Sequence, residues 1–311
     1  MPEDERNRDG GEPVAPRRVL IVGCGYVGLP LGAELARLGC HVVGLRRTLT
    51  AAREMEAAGI RPFAADVTRP ERLARLPGPF DWVINCVASS RGGLPEYQEV
   101  YLQGTRNLIE WLRPSPPARF VYTSSTGVYA QNDGSEVTET SVAEASTPTG
   151  RVLVETENLL LASVRESGFP AVILRAAGIY GPGRGYWFRQ FLAGTAVIEG
   201  EGGRILNMIH RDDLVRAIIA ALQRGRPGEI YNAVDDEPVS QIEVFRWLAS
   251  RLGKPMPPSE PENSAVRGKR GATNKRVSNR KLRSELGCHL DYPTFREGFE
   301  AALGEMAISD Q

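Results

Sequence analysis

The sequence predicts an α/β fold, a doubly wound parallel sheet with a smaller C-terminal lobe. From Arg18 onward, short β-branched apolar runs alternate with amphipathic helical stretches. That is the order of repeated β-α-β units whose strands are covered on both faces. The first run, Arg18 to Val22, passes directly into Gly23-Cys24-Gly25-Tyr26-Val27-Gly28, and a helical pattern follows to Gly39. A strand, a glycine-rich turn and a helix in this order mark a Rossmann-type first unit.

Each element follows from its own pattern. Strands are expected at Val19–Val22, His41–Leu45, Arg61–Ala65, Trp82–Cys86, Arg119–Ser124 and Val172–Arg175, with helices Glu96–Arg113 and Gly150–Ser167 among the connections. Right-handed crossovers make such a sheet doubly wound and leave its ligand crevice at the carboxyl ends of the strands. After Arg175 the pattern changes. Tyr180-Gly-Pro-Gly-Arg184 is a turn cluster and Tyr186–Ala193 a short helix. Arg204–Ile209 reads as a strand, Asp212–Arg224 as a helix and Glu229–Asn232 as a strand, and helices Gln241–Leu252 and Pro293–Leu303 follow. The chain therefore divides into a polar, disordered tail (1–16), a cofactor-binding Rossmann domain (17–178) and a substrate lobe (179–311). About residues 204–232 the lobe returns to the Rossmann core.

The glycine turn suits a dinucleotide pyrophosphate. Gly23 permits the tight turn, Gly25 lets the backbone approach the ligand, and Gly28 lets helix and strand pack closely, with free N–H groups at the helix start. The second strand ends in Arg46-Arg47, and no Asp or Glu occurs between Cys40 and Arg53. An acidic residue there would grip a ribose 2′-hydroxyl, whereas two guanidiniums can hold a 2′-phosphate. NADP is thus the expected cofactor, with NAD the alternative.

Composition narrows the function. Among 311 residues, Lys+Arg and Asp+Glu both number 38, so no overall field draws the chain to nucleic acid or an anionic membrane. The four cysteines show no metal-ligand or disulfide spacing, which predicts no metal site and a reducing, cytoplasmic setting. No apolar run reaches the ~20 residues of a membrane span. The first residues, Met1 to Arg17, lack the apolar stretch of a signal peptide. The stretch from Arg267 to Arg283 holds eight basic residues and no acid, as either a solvated face or an anion-binding rim.

Taken in order, these motifs resemble the extended and atypical short-chain dehydrogenase/reductases, the superfamily of NAD(P)-dependent sugar epimerases, dehydratases and reductases. The resemblance spans Arg17 to Leu303. It rests on the glycine turn, Ala65-Asp66-Val67, Asn85-Cys86-Val87-Ala88, Gly104-Thr-Arg-Asn107, Tyr122 to Tyr129, Leu174 to Arg184 and Ile209 to Leu214. It implies that Asp66 and Val67 lie by the adenine, that Cys86, Val87 and Ala88 flank the cofactor, and that Ser125 faces the reacting oxygen of a small polar, sugar-like substrate. It also implies that helices Glu96–Arg113 and Gly150–Ser167 are those that pair in family homodimers.

One departure limits the resemblance. Active members carry a Tyr-x-x-x-Lys whose tyrosine exchanges the substrate proton and whose lysine lowers that tyrosine's pKa. Here Thr149 and Leu153 stand at those places, and no Tyr or Lys occurs between Gln131 and Arg175. A proton donor must come from elsewhere. Tyr129 and Tyr186 are the first candidates beside Ser125, followed by His210, Glu139 and Glu144, with Arg151 a fixed charge near the ribose. Two functions stay open: an oxidoreductase or epimerase with a non-standard site, and a module that holds NADP(H) and regulates a partner without turnover.

Overall fold

The computed structural model describes residues 17–90, 92–261 and 273–309. The expected N-terminal tail and the first part of the basic stretch, Arg267 to Ala272, lie outside the described residues. Seven strands form one parallel sheet: β1 (Arg18–Val22), β2 (His41–Arg46), β3 (Ile60–Ala64), β4 (Trp82–Asn85), β5 (Arg119–Ser125), β6 (Ala171–Ala176) and β7 (Ile230–Ala233). Their spatial order is β7-β6-β5-β4-β1-β2-β3, so the chain reverses direction of travel between β1 and β4. That reversal opens the crevice in which doubly wound sheets take ligands.

The strand pleat sorts side chains between two layers. Val19 and Ile21 of β1 join Leu31 and Leu35 of helix α1 (Gly28–Arg37) and Ile218 of the helix Arg211–Arg224 on one face. Leu20 and Val22 join Leu108 and Leu112 of helix α2 (Gly104–Leu112) and Leu160 of helix α3 (Pro148–Ser167) on the other. This alternation with period two is what a strand buried on both sides requires. Pro62 is tolerated in β3 because that strand is the sheet's edge. A third cluster, rich in aromatics, holds the C-terminal lobe, with Phe188, Phe191, Phe245, Phe295 and Phe299 packed together.

Three expectations change in detail. The single strand Arg204–Ile209 is two short ones, Ile205–Leu206 and Met208–His210, which pair with different partners. The helix expected over Glu96–Arg113 is interrupted. A turn of α-helix, Leu94–Tyr97, leads into a π-helical segment, Gln98–Gln103, before α2 begins. The described end of the basic stretch is ordered: Arg276–Val277 pairs with Glu136–Val137, and Arg280–Leu286 is a helix. Its charges meet acids, Lys281 with Glu229 at 2.6 Å, Arg283 with Asp236 at 2.6 Å, and Arg280 with Glu136.

Helix α3 positions the crevice wall, and its placement is over-determined. Thr147 caps its start, accepting a hydrogen bond from the Gly150 N–H, Pro148 opens it, and Gly168 ends it in the left-handed region. Midway, Glu157 is buried and takes a two-pronged ion pair from Arg175 of β6, with Nη2 to Oε2 at 2.7 Å. It also accepts the Ser124 hydroxyl of β5 at 2.6 Å. The Arg175 Nη1 donates to the Tyr129 hydroxyl at 2.8 Å, which donates in turn to Asn232 of β7 at 2.8 Å. Removing one charge leaves the other buried and unpaired, so Glu157→Leu is expected to destabilise the fold by about 3–5 kcal/mol. Urea unfolding monitored by circular dichroism measures this, and a loss below about 1 kcal/mol would remove the pair from its structural role.

Candidate functional site

Two cavities meet above the carboxyl ends of the strands. The first, about 810 Å³, lies over β1, β2, β4 and β5. Its walls include Gly23, Gly25, Tyr26, Val27, Arg46, Arg47, Asp66, Val67, Cys86, Val87 and Ala88. Gly23 has φ +92°, and a Cβ on it would sit 2.7 Å from the Val87 nitrogen. A Cβ on Gly28 would sit 2.6 Å from the Gly23 carbonyl oxygen, whereas one on Gly25 would meet nothing. The turn is therefore closed toward the sheet and open toward the cavity. Helix α1 starts without a side-chain cap and with no acid in its first turn. The Leu29 N–H is taken by the Gly25 carbonyl at 2.9 Å and Pro30 has none, so the helix start offers an anion its dipole and the N–H groups leading into Gly28. These features fit a dinucleotide pyrophosphate.

Two residues expected at the cofactor, Cys24 and Gly28, do not line this cavity. Cys24 is fully buried, its sulfur packed under Gly44, and Gly28 serves the helix–strand contact. Burial pushes the Cys24 thiol up to about 11 and that of Cys86 up to about 12, so neither is a nucleophile near neutrality. Asp66 is the only carboxylate among the described residues of this cavity wall, and its Oδ1 accepts from the Thr68 N–H and hydroxyl. At the end of β2 the Arg47 guanidinium donates to the Ser90 hydroxyl at 2.9 Å, which donates to Glu96 at 3.1 Å.

The second cavity, about 560 Å³, lies between the sheet and the C-terminal lobe. Ser125, Leu153, Tyr97, Ala177, Ile179 and Arg184 line both cavities and mark where they join. Ser125 ends β5, and its hydroxyl oxygen accepts the Gly127 N–H at 3.1 Å. Thr149 and Leu153, one turn apart on α3, both face the second cavity. Tyr186 lines it too, edge-on to Trp187 with ring centroids 4.8 Å apart.

Tyr129 does not reach either cavity. It is fully buried, its hydroxyl is held between Arg175 and Asn232, and burial raises its phenol further. Its place in the core, rather than at a substrate, corrects the expectation of a catalytic role. His210 is likewise a core residue: its Nδ1 accepts the Asp212 N–H at 3.3 Å to cap the next helix, and its ring packs 3.7 Å from that of Tyr292. Glu139 accepts the Asn232 N–H at 2.8 Å, Glu144 is exposed, and Arg151 reaches the Ser146 carbonyl at 3.4 Å.

Sequence reasoning missed Tyr97 and Lys275. Tyr97 stands at the junction of the cavities because the π-helical segment follows it, and its ring lies 4.7 Å from that of Tyr101. The i, i+4 spacing of the two tyrosines after Gly92-Gly93 is the one signal that could have found it. Lys275, buried in the wall of the second cavity, is indistinguishable in sequence from its basic neighbours.

Comparison with known proteins agrees with this architecture. A model of the NAD dependent epimerase/dehydratase family matches residues 19–233. Protein YeeZ of Escherichia coli (strain K12) is 31% identical over 282 residues, covering 89% of this chain and 97% of that protein. A 3-diazoavenalumate denitrifying reductase of a Streptomyces species is 27% identical over 316 residues, covering 90% and 98%. A solved structure of a putative NAD-dependent epimerase/dehydratase from Methylobacillus flagellatus superposes with a TM-score of 0.75 at 32% identity, covering 94% and 99%. The chain belongs to the NAD dependent epimerase/dehydratase family.

Among the described residues no helix is long and apolar enough to cross a membrane, and no group of three or more His, Cys, Asp or Glu could hold a metal ion.

Burial brings His210 down to about 4, below its unfolded value of about 6.5. The unfolded chain therefore binds more protons between those values, and stability is lost as pH falls through that window. Replacing His210→Gln keeps an acceptor for the cap but removes the titration. Denaturation midpoints between pH 7 and pH 4.5 should fall less steeply in the variant, and equal slopes would contradict a buried neutral imidazole.

Proposed function

We propose that this chain is an NADP-dependent oxidoreductase or epimerase-like enzyme acting on a small polar substrate, with a non-standard proton donor. The observation that carries this reading is the meeting of the two cavities at Ser125 and Leu153. A dinucleotide with its pyrophosphate on the α1 N-terminus fits the first cavity, and a substrate fits the second. Hydride exchange with the substrate is the chemistry the bound nicotinamide would supply. The protein's part is positioning: Gly23, Gly25, Tyr26 and Val27 cradle the pyrophosphate, Arg46 and Arg47 hold the 2′-phosphate, and Ser125 hydrogen-bonds the reacting oxygen.

Thr149 and Leu153 favour a second reading, an NADP(H)-binding module without turnover. A threonine alcohol is a weak acid at neutral pH, and leucine lowers no neighbour's pKa. Tyr97 and Tyr186 keep the enzyme reading the stronger, because each brings a phenol to the cavity shared by, or next to, the Ser125 hydroxyl.

NADPH should bind at least about tenfold more tightly than NADH, since charge-assisted contacts to a 2′-phosphate are worth roughly 1.5–3 kcal/mol. Calorimetric titration of both cofactors into wild type and Arg46→Ala checks this, and equal wild-type affinities refute the NADP assignment. Single-turnover oxidation of NADPH with a panel of reactive carbonyls then separates the readings. Ser125→Ala should slow an active protein by about a hundredfold. Absence of turnover despite NADPH binding selects the module.

A further inference from the structure

The second cavity carries a positive charge that none of the described residues neutralises. Lys275 is 4% exposed, and its ammonium donates to the Tyr129 carbonyl oxygen at 3.0 Å and the Thr273 hydroxyl at 2.9 Å. Both acceptors are neutral. A buried cation ordinarily sits against a carboxylate, as Arg175 does against Glu157 in the core of this chain. Among the described residues no acid pairs with Lys275.

Its surroundings deepen the deficit. Arg204, on the adjoining cavity wall, repels it, while Glu199 is engaged by Arg204 at 3.4 Å. Asn207 packs from the short strands of the lobe but is neutral, donating to the Lys275 carbonyl at 3.0 Å and accepting the Val277 N–H at 2.8 Å. The segment from Ser125 to Tyr129 contributes hydroxyls and carbonyls only. The described walls of this cavity hold Arg184, Arg204 and Lys275, and no Asp, Glu, His or Cys.

We propose that Lys275 is an anion receptor, and that the ligand of the second cavity carries an oxyanion, a carboxylate or a phosphate, that seats against its ammonium. Two protons of that ammonium are held by the protein, which aims the group and leaves its third N–H for the ligand. This deepens the enzyme reading by giving the substrate its charge, and it rests on that reading for calling the ligand a substrate. The charge argument itself depends only on the cavity.

The ammonium also gives the binding a signature. Burial and Arg204 bring Lys275 down to about 8 in the free protein. A seated anion stabilises the charged form and moves it back up. Binding above pH 8 must therefore take up protons, whereas a fixed guanidinium in the same place would take up none.

The test is calorimetric titration of inorganic phosphate and of malonate at pH 8.5, in two buffers of different ionisation enthalpy. The background is Arg46→Ala/Arg47→Ala, which removes both guanidiniums of the first cavity, and any component of binding retained in Lys275→Met without proton uptake belongs to the glycine turn. Both anions are tried because each probes one source, a phosphorylated or a carboxylic ligand. Binding of either with proton uptake is expected, and the stronger binder names the source. Lys275→Met should weaken binding at least about tenfold and abolish the uptake. Lys275→Arg should keep the binding and lose the uptake.

The proposal is overturned if neither anion binds, if Lys275→Met binds as the background does, or if uptake persists in Lys275→Arg. Should Lys275→Met prove unfolded by circular dichroism, the Lys275→Arg result decides. NADPH affinity of the wild type, measured separately, tests the enzyme reading at the other cavity, so the two can fail independently.

Discussion

The buried pair of Arg175 and Glu157 is the interaction on which the site depends. It fixes α3 against β6, and through Ser124, Tyr129 and Asn232 it extends to β5 and β7. Such a pair is weak evidence for stability in itself, because desolvating two charges offsets most of their attraction. What it contributes is register. A long helix packed only through leucines and valines could slide or rotate at small cost, whereas a bidentate guanidinium–carboxylate contact tolerates little displacement. Leu153 lies one turn before Glu157 and Thr149 two turns before, so the position of both in the cavity wall follows from that anchor.

The anchor also explains why the site can be intact in shape and altered in chemistry. The glycine turn, the open helix start and the meeting of the two cavities are backbone properties, set by strand order and close packing. They survive when the side chains at two positions on α3 are an alcohol and an alkane. Chemistry in this family member is thereby separated from architecture. The phenol of Tyr97 and the ammonium of Lys275 come to the same space from other elements, one from the helix before β5 and the other from the C-terminal segment.

Much of the fold was legible because the signals were local and repeated. The strands of the sheet, most of them buried on both faces, read as apolar runs, and their ends fell within a residue or two of those observed. The first cavity was legible for the same reason, since its walls follow directly on those strands. Tyr129 misled because an aromatic one step beyond a strand is equally compatible with a pocket and with the core. Only the long-range contact with Arg175 and Asn232 decides between them. Lys275 was hidden by its company: in a run of basic residues sequence cannot tell which one turns inward, and its burial depends on Tyr129, 146 residues away. Arg283, Lys281 and Arg280 turn outward to acids from distant elements, which local charge counting equally misses.

The π-helical segment Gln98–Gln103 has a different kind of consequence. Such a segment holds one residue more than the α-helix it interrupts, and each residue turns the chain by ~100°. Deleting one residue within it would leave α2, Gly104 and its contact with Val67 undisturbed. The helical turn before it, Leu94–Tyr97, would swing round the helix axis by that angle and carry the Tyr97 phenol away from the cavity junction. A single codon lost or gained here would thus exchange the residue presented at the heart of the site without touching the sheet. The segment works as an adjustable coupling between a fixed scaffold and a replaceable wall, a route by which members of one fold could come to differ in chemistry.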